Sequence, residues 1–179
     1  MALLLKIAAL YAALLPVIGA CASRSGNAPA PPVPTPQTFE DQGRDHIPQG
    51  FSPPIYNSNP PTSVMHSPNF VDWGVYTDRM PPEVMVHNME HGGVIVWHNC
   101  DAPPKLSAAD CKRLTDDLAR VVRAQVAAKK EVVMVPYPAM DRRIALTAWT
   151  KLLFLDSFDE QQVRGFIQRY DRAYNPEGF

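Results

Sequence analysis

Proline decides where this chain can build regular structure. A residue with a fixed φ and no N–H is excluded from helix interiors and central strands. Asn27 to Thr38 reads NAPAPPVPTPQT, too dense in proline to pack and biased toward an extended polyproline conformation. Further on, Ile47-Pro48, Pro53-Pro54 and the run Tyr56-Asn57-Ser58-Asn59-Pro60-Pro61-Thr62-Ser63 mark turns. Phe39 to Arg79 therefore reads as one long irregular segment. Segments of that length in a compact domain carry function more often than they idle. This one holds His46 and His66, and its aromatics Phe70, Trp73 and Tyr76 are suited to docking it on a core.

Past Gly93 the chain becomes regular. Val94 to Trp97 is a candidate buried strand. Ser107-Ala-Ala-Asp110 opens a helix in the manner of a capping box. That helix carries Cys111, Leu114, Leu118, Val121 and Val122 on one face and ends near Lys129-Lys130. Glu131 to Pro136 is a second strand and Ile144 to Trp149, which alternates, a third. Leu152 to Leu155 extends the third or begins another element. Ser157-Phe-Asp-Glu160 reads as a second capping box, opening a helix with Val163, Phe166, Ile167 and Tyr170 inward. The order predicts an α+β or α/β two-layer sandwich: a small mixed sheet, two main helices and a long irregular N-terminal loop region. From Phe39 onward the chain is long enough for one core.

The N-terminus has a different character. Lys6 precedes an apolar run, Ile7 to Ala20, as in a secretory signal peptide. Ile18-Gly19-Ala20-Cys21 resembles the lipobox of bacterial lipoproteins, which implies cleavage before Cys21 and a diacylglyceryl group on its thiol. The alternative is an uncleaved anchor, short for a membrane span. The expected organisation is a signal peptide over 1–20, a lipidated Cys21 and proline-rich tether over 21–38, and one globular domain over 39–179. Either reading places the domain in a bacterial cell envelope, outside the cytoplasm and tethered to a membrane. A formal net charge of −1 gives no pull toward nucleic acid. Cys100 and Cys111 remain, and an oxidising compartment favours a disulfide between them. The rival readings are metal ligation by one or both with nearby His98, and free thiols.

Met85-Val86-His87-Asn88-Met89-Glu90-His91-Gly92-Gly93 concentrates the chemistry. In a strand, His87 and His91 would stand ~13 Å apart, too far to share an ion. In a helix they are i and i+4, on one face and ~6 Å apart. Pro81-Pro82-Glu83 suits a helix start and Gly92-Gly93 a helix stop, while Val84 and Val86 argue mildly against. The segment is expected to be a short helix or a single turn.

Tyr56 to Ser63, His66, Trp73-Gly-Val-Tyr76 and Val86-His-Asn-Met-Glu-His-Gly-Gly-Val94 together resemble the bacterial family known as domain of unknown function 3105. Ile144-Ala-Leu-Thr-Ala-Trp149 and Phe158-Asp-Glu160 extend the resemblance. It implies an exported or membrane-anchored protein, with recurrent histidines at His46, His66, His87 and His91 and an acid at Glu90. The family usually has Gly-Pro where Val64-Met65 stand here, so the turn before His66 is expected to differ.

Three functions follow as expectations. The first is a zinc or copper site built from His46, His66, His87 and His91, with Glu90 as supporting partner or base. Met65, Met80, Met85 and Met89 are then core filling rather than thioether ligands. The second is a metal-dependent hydrolase, because His87 to His91 matches H-x-x-E-H with Glu90 as base. The third is an interaction module of unknown partner, whose histidines, Asn57, Asn59, Thr62 and Asn88 pin the long loop. No Ser-His-Asp set, phosphate loop or nucleotide fingerprint is visible. A ligand cluster requires converging imidazole nitrogens. A pinned loop requires each ring to donate to a backbone carbonyl.

Overall fold

The computed structural model describes residues 34–48 and 55–176, all within the compact unit Val33–Phe179. The signal peptide, Cys21 and most of the tether lie outside the described residues. Among the described residues, no helix is long and apolar enough to cross a membrane.

The chain forms β1 (Gln37–Thr38), β2 (Gly74–Val75), α1 (Pro82–Glu90), β3 (Val94–His98), α2 (Ala108–Ala127), β4 (Val132–Pro136), β5 (Ile144–Ala148), β6 (Lys151–Leu155) and α3 (Glu160–Tyr170). The six strands make one mixed sheet in the order β1-β6-β5-β3-β4-β2. β3 and β4 are parallel, joined by α2, while β3–β5 and β5–β6 are antiparallel. This is the expected α+β architecture.

Strand alternation sorts the core into two faces. Val94, Val96, Val132, Met134, Ile144 and Leu146 pack against Leu118 and Val122 of α2 and Val163 and Ile167 of α3. Ile95, Trp97, Val133, Val135 and Ala145 pack against Met85, Val86 and Met89 of α1, with Val64 and Trp149. Burying each large side chain contributes about 1.5–3 kcal/mol. The second face is covered by α1 and the irregular segment rather than by a second helical layer.

The end of the tether and the irregular segment each lend one short edge strand. Gln37 and Thr38, within the stretch read as tether, pair with Leu152 and Lys151. Gly74 and Val75 pair with Val133 and Met134. Two-residue strands carry no periodicity, so sequence pattern does not reveal them. The Trp149-Thr150 turn, with Thr150 at φ +60, makes Lys151–Leu155 a strand of its own.

The caps follow their chemistry with one correction. Ser107 Oγ accepts from Asp110 N at 3.1 Å. The N-cap of α3 is Asp159, not Ser157: its extended backbone lets Oδ1 accept from Gln162 N at 3.0 Å. Cys100 and Cys111 are disulfide-bonded with Cα atoms 5.5 Å apart, which removes cysteine ligation with His98. Closing this short loop contributes ~3 kcal/mol. Buried Arg143 braces the same loop by donating to Cys100 O at 3.0 Å and Pro104 O at 2.5 Å.

Candidate metal centre

α1 starts with Pro82 in its first turn and Glu83 beside the positive helix end. It ends in a Schellman motif: Gly92 N donates to Met89 O at 3.0 Å and Gly93 N to Asn88 O at 2.9 Å. Gly92 takes φ +93, and a Cβ there would lie 3.0 Å from Arg172 Cα. A Cβ on Gly93 would lie 2.6 Å from both Asn88 O and the Trp73 ring. The two glycines thus let α1 turn directly into β3, which fixes its orientation on the sheet. Met85 and Met89 are fully buried in the core, as core filling requires.

Backbone pairing delivers the other histidines. His66 N donates to Asp45 O at 3.0 Å and Ile47 N to His66 O at 2.7 Å, a single parallel bridge that sets His46 beside His66. Asn88 clamps the loop onto α1, accepting from Val71 N at 3.1 Å and donating to Val71 O at 2.8 Å. Asn57 donates to Glu40 O and Asn59 to Ala139 O, while the hydroxyls of Ser58 and Thr62 bond each other. The loop-pinning role expected of these residues is seen in these bonds.

One ring nitrogen each from His46, His66 and His87 lies within 4.8 Å of the others, so this triad could hold a metal ion. His66 is wholly buried and His87 only 4% exposed, whereas the His46 side chain is 46% exposed. Both buried rings are fixed from behind. His66 Nδ1 bonds Val64 O at 2.8 Å and His87 Nδ1 bonds Ser67 O at 2.7 Å. A carbonyl only accepts, so each Nδ1 carries the proton and each Nε2 is left to face another group. In both rings Nδ1 pins the loop, which leaves the His66 Nε2 facing Glu90 and the His87 Nε2 facing His91.

His66 Nε2 faces Glu90 Oε2 at 2.9 Å, and His46 Nε2 lies 4.0 Å from the same oxygen. Because His66 Nδ1–H is committed to Val64, one proton must lie between Nε2 and the carboxylate. A cation could take its place. Burial lowers the His87 pKa, opposed by its bond to Ser67 and reinforced by the neighbouring histidines, which favours the neutral, ligating form.

His91 stands apart from the triad. Its Nε2 lies 2.7 Å from His87 Nε2. The i, i+4 pair is thus real, but the triad is completed by His46 and His66 from the loop. The H-x-x-E-H motif places both helical histidines on one ion, whereas the triad takes only His87 of that pair. A cleft of about 180 Å³ nearby is lined by residues including Met89, Gly92, Trp149 and Tyr174, and by neither Glu90 nor a histidine.

Sequence reasoning missed the groups that aim the rings, Val64 O and Ser67 O, because backbone carbonyls leave no mark in a sequence. Trp73 and Tyr76 dock the loop on the core as expected, but Phe70 does not: it is 56% exposed, with its ring 5.0 Å from that of His91. Val64 takes φ +149, a conformation costing an L residue of order 1–3 kcal/mol. That strain sits two residues before His66, at the carbonyl that orients it.

The chain belongs to the family described as protein of unknown function (DUF3105), whose model matches residues 52–178. That span contains His66, His87, Asn88, Glu90, His91 and both glycines, while His46 precedes it. No curated protein and no solved structure matches the chain.

Proposed function

We propose that this protein is a lipid-anchored, extracytoplasmic domain of the bacterial envelope that binds one zinc or copper ion through His46, His66 and His87. The observation that carries the reading is the approach of one ring nitrogen each from these three residues to within 4.8 Å of the others, two of them on buried rings. Each buried ring spends its Nδ1–H on a backbone carbonyl, which fixes tautomer and direction as in established metal sites. Three imidazoles with a nearby carboxylate suit either metal. The ion would supply a fixed positive charge at the loop–helix junction. Glu90 would hold it directly or orient a bound water. The anchor and tether follow from the lipobox at Cys21 and the prolines after it.

A second reading rests on the same Nδ1 bonds: the rings only pin the loop, and the domain is an envelope interaction module. Metal content of the full-length protein in detergent separates the two. One equivalent of zinc or copper is expected, lost in a His66→Ala/His87→Ala variant that keeps its circular dichroism. No metal after loading with Zn²⁺ and with Cu⁺ would leave the structural reading alone.

A further inference from the structure

His87 belongs to two imidazole pairings at once. Inward it joins His46 and His66. Outward it meets His91 one helical turn on, with nitrogens 2.7 Å apart while the ring centroids stay 4.7 Å apart at 7°. The rings therefore meet nitrogen to nitrogen, nearly in one plane, rather than face to face. The His87 Nδ1–H is committed to Ser67 O, so the proton in the Nε2–Nε2 contact is the one His91 donates. That hydrogen bond occupies the lone pair His87 would offer to an ion in the triad. His87 cannot do both.

We propose that His87 and His91 form an outer loading position for the metal, and that His87 is the ligand common to it and the inner triad. The inference rests on the metal reading above. An arriving divalent ion displaces the proton between the two nitrogens, which leaves to solvent. The ion then exchanges His91 for His46 and His66 while His87 stays bound. Of the outer pair His87 is buried and His91 partly exposed, and the half-exposed Phe70 ring lies against both. His46 is also partly exposed and offers a direct route that bypasses His91. The two routes differ in kinetics, not in the final complex.

The test uses full-length protein in detergent, stripped by a chelator, with Zn²⁺ as the probe. Uptake and chelator-driven loss are followed with a zinc indicator for the parent, His91→Ala and His91→Gln. A loading position predicts that both variants still bind one equivalent. Uptake and loss should slow by a similar factor, about tenfold for a barrier raised by one lost contact, so that affinity barely moves. In His66→Ala, weak binding should persist and vanish when His91→Ala is added. Unchanged rates in the His91 variants would overturn the loading position. So would a fall in affinity with uptake unchanged, which makes His91 an ordinary ligand of one site. A parent that binds no zinc or copper sinks the metal reading itself, whereas a loaded parent with unaltered variant rates sinks only this inference.

Discussion

The two faces of the sheet are held by different means. Under α2 and α3 the strands meet aliphatic side chains, and burial does the work. Under α1 and the loop, an apolar floor supports a layer of buried His66, His87, Asn88 and Glu90, each satisfied by a hydrogen bond. Histidine makes the contrast concrete. His98 falls on the α2 face by alternation with Val94 and Val96, and its Nδ1 is buried with no hydrogen-bond partner among the described residues. His66 and His87 are as deeply buried, but each Nδ1 finds a carbonyl. Burial alone makes an imidazole neutral. Burial with one nitrogen fixed makes it directional.

The largest expected effect is on the aliphatic face. Leu118 is fully buried between α2 and the sheet, so Leu118→Ala should cost about 3–4 kcal/mol in urea denaturation. If the faces are independent, the folded variant keeps the metal content of the parent. Loss of metal at full folding would show that packing under α2 reaches the histidines.

Acid should expose the difference between the histidines. Burial lowers the His98 pKa from 6.5 to about 4. The unfolded chain binds that proton more readily, so the stability is full above pH 6.5 and is lost as pH falls toward 4. The loss is about 2–3 kcal/mol by pH 4. A His98→Leu variant should lack this component when urea midpoints are compared at pH 7 and pH 4.5. Equal acid sensitivity in parent and variant would mean that His98 carries none of it.

The face that carries the site should yield less stability but more function. Asn88→Ala removes both bonds to Val71 and strands two backbone groups, at a cost of about 2 kcal/mol. Hydrogen exchange should rise over the loop near Val71 and stay unchanged in α2. If α2 amides exchange faster too, the loop is not a separate unit.

The same contrast sets what the sequence reveals. α2 announces itself by apolar periodicity and β3 to β5 by short apolar runs, because the helix buries one face and these central strands bury both. α1 is legible from its ends, Pro82 and Gly92-Gly93, rather than from its pattern, since buried residues surround it from Met85 to Glu90. His87, Glu90 and His91 stand out by spacing, yet the triad draws on His46 and His66. Their approach depends on a single backbone bridge and on carbonyls that any residue supplies. Local pattern records what a segment buries. It does not record which distant segment a hydrogen bond brings to it.

The smallest effects concern two helix ends built alike. α1 and α2 both close with Schellman bonds: Lys129 N donates to Val126 O and Lys130 N to Gln125 O, as Gly92 and Gly93 do for α1. The left-handed position is Gly92 at φ +93 in one and Lys129 at φ +65 in the other. Lys129→Gly relieves that conformation while loosening the unfolded chain, so a gain of only about 0.5 kcal/mol is expected. Gly92→Ala adds strain in φ and a Cβ 3.0 Å from Arg172 Cα and 3.1 Å from Tyr174 O, both backbone atoms that give way reluctantly. It should cost about 1–2 kcal/mol and weaken metal retention by tilting α1. Thermal melts of the two variants, read beside their metal content, check this directly. If Gly92→Ala destabilises no more than Lys129→Gly stabilises, the C-terminal strap at Arg172 yields easily, and the end of α1 is no more tightly constrained than that of α2.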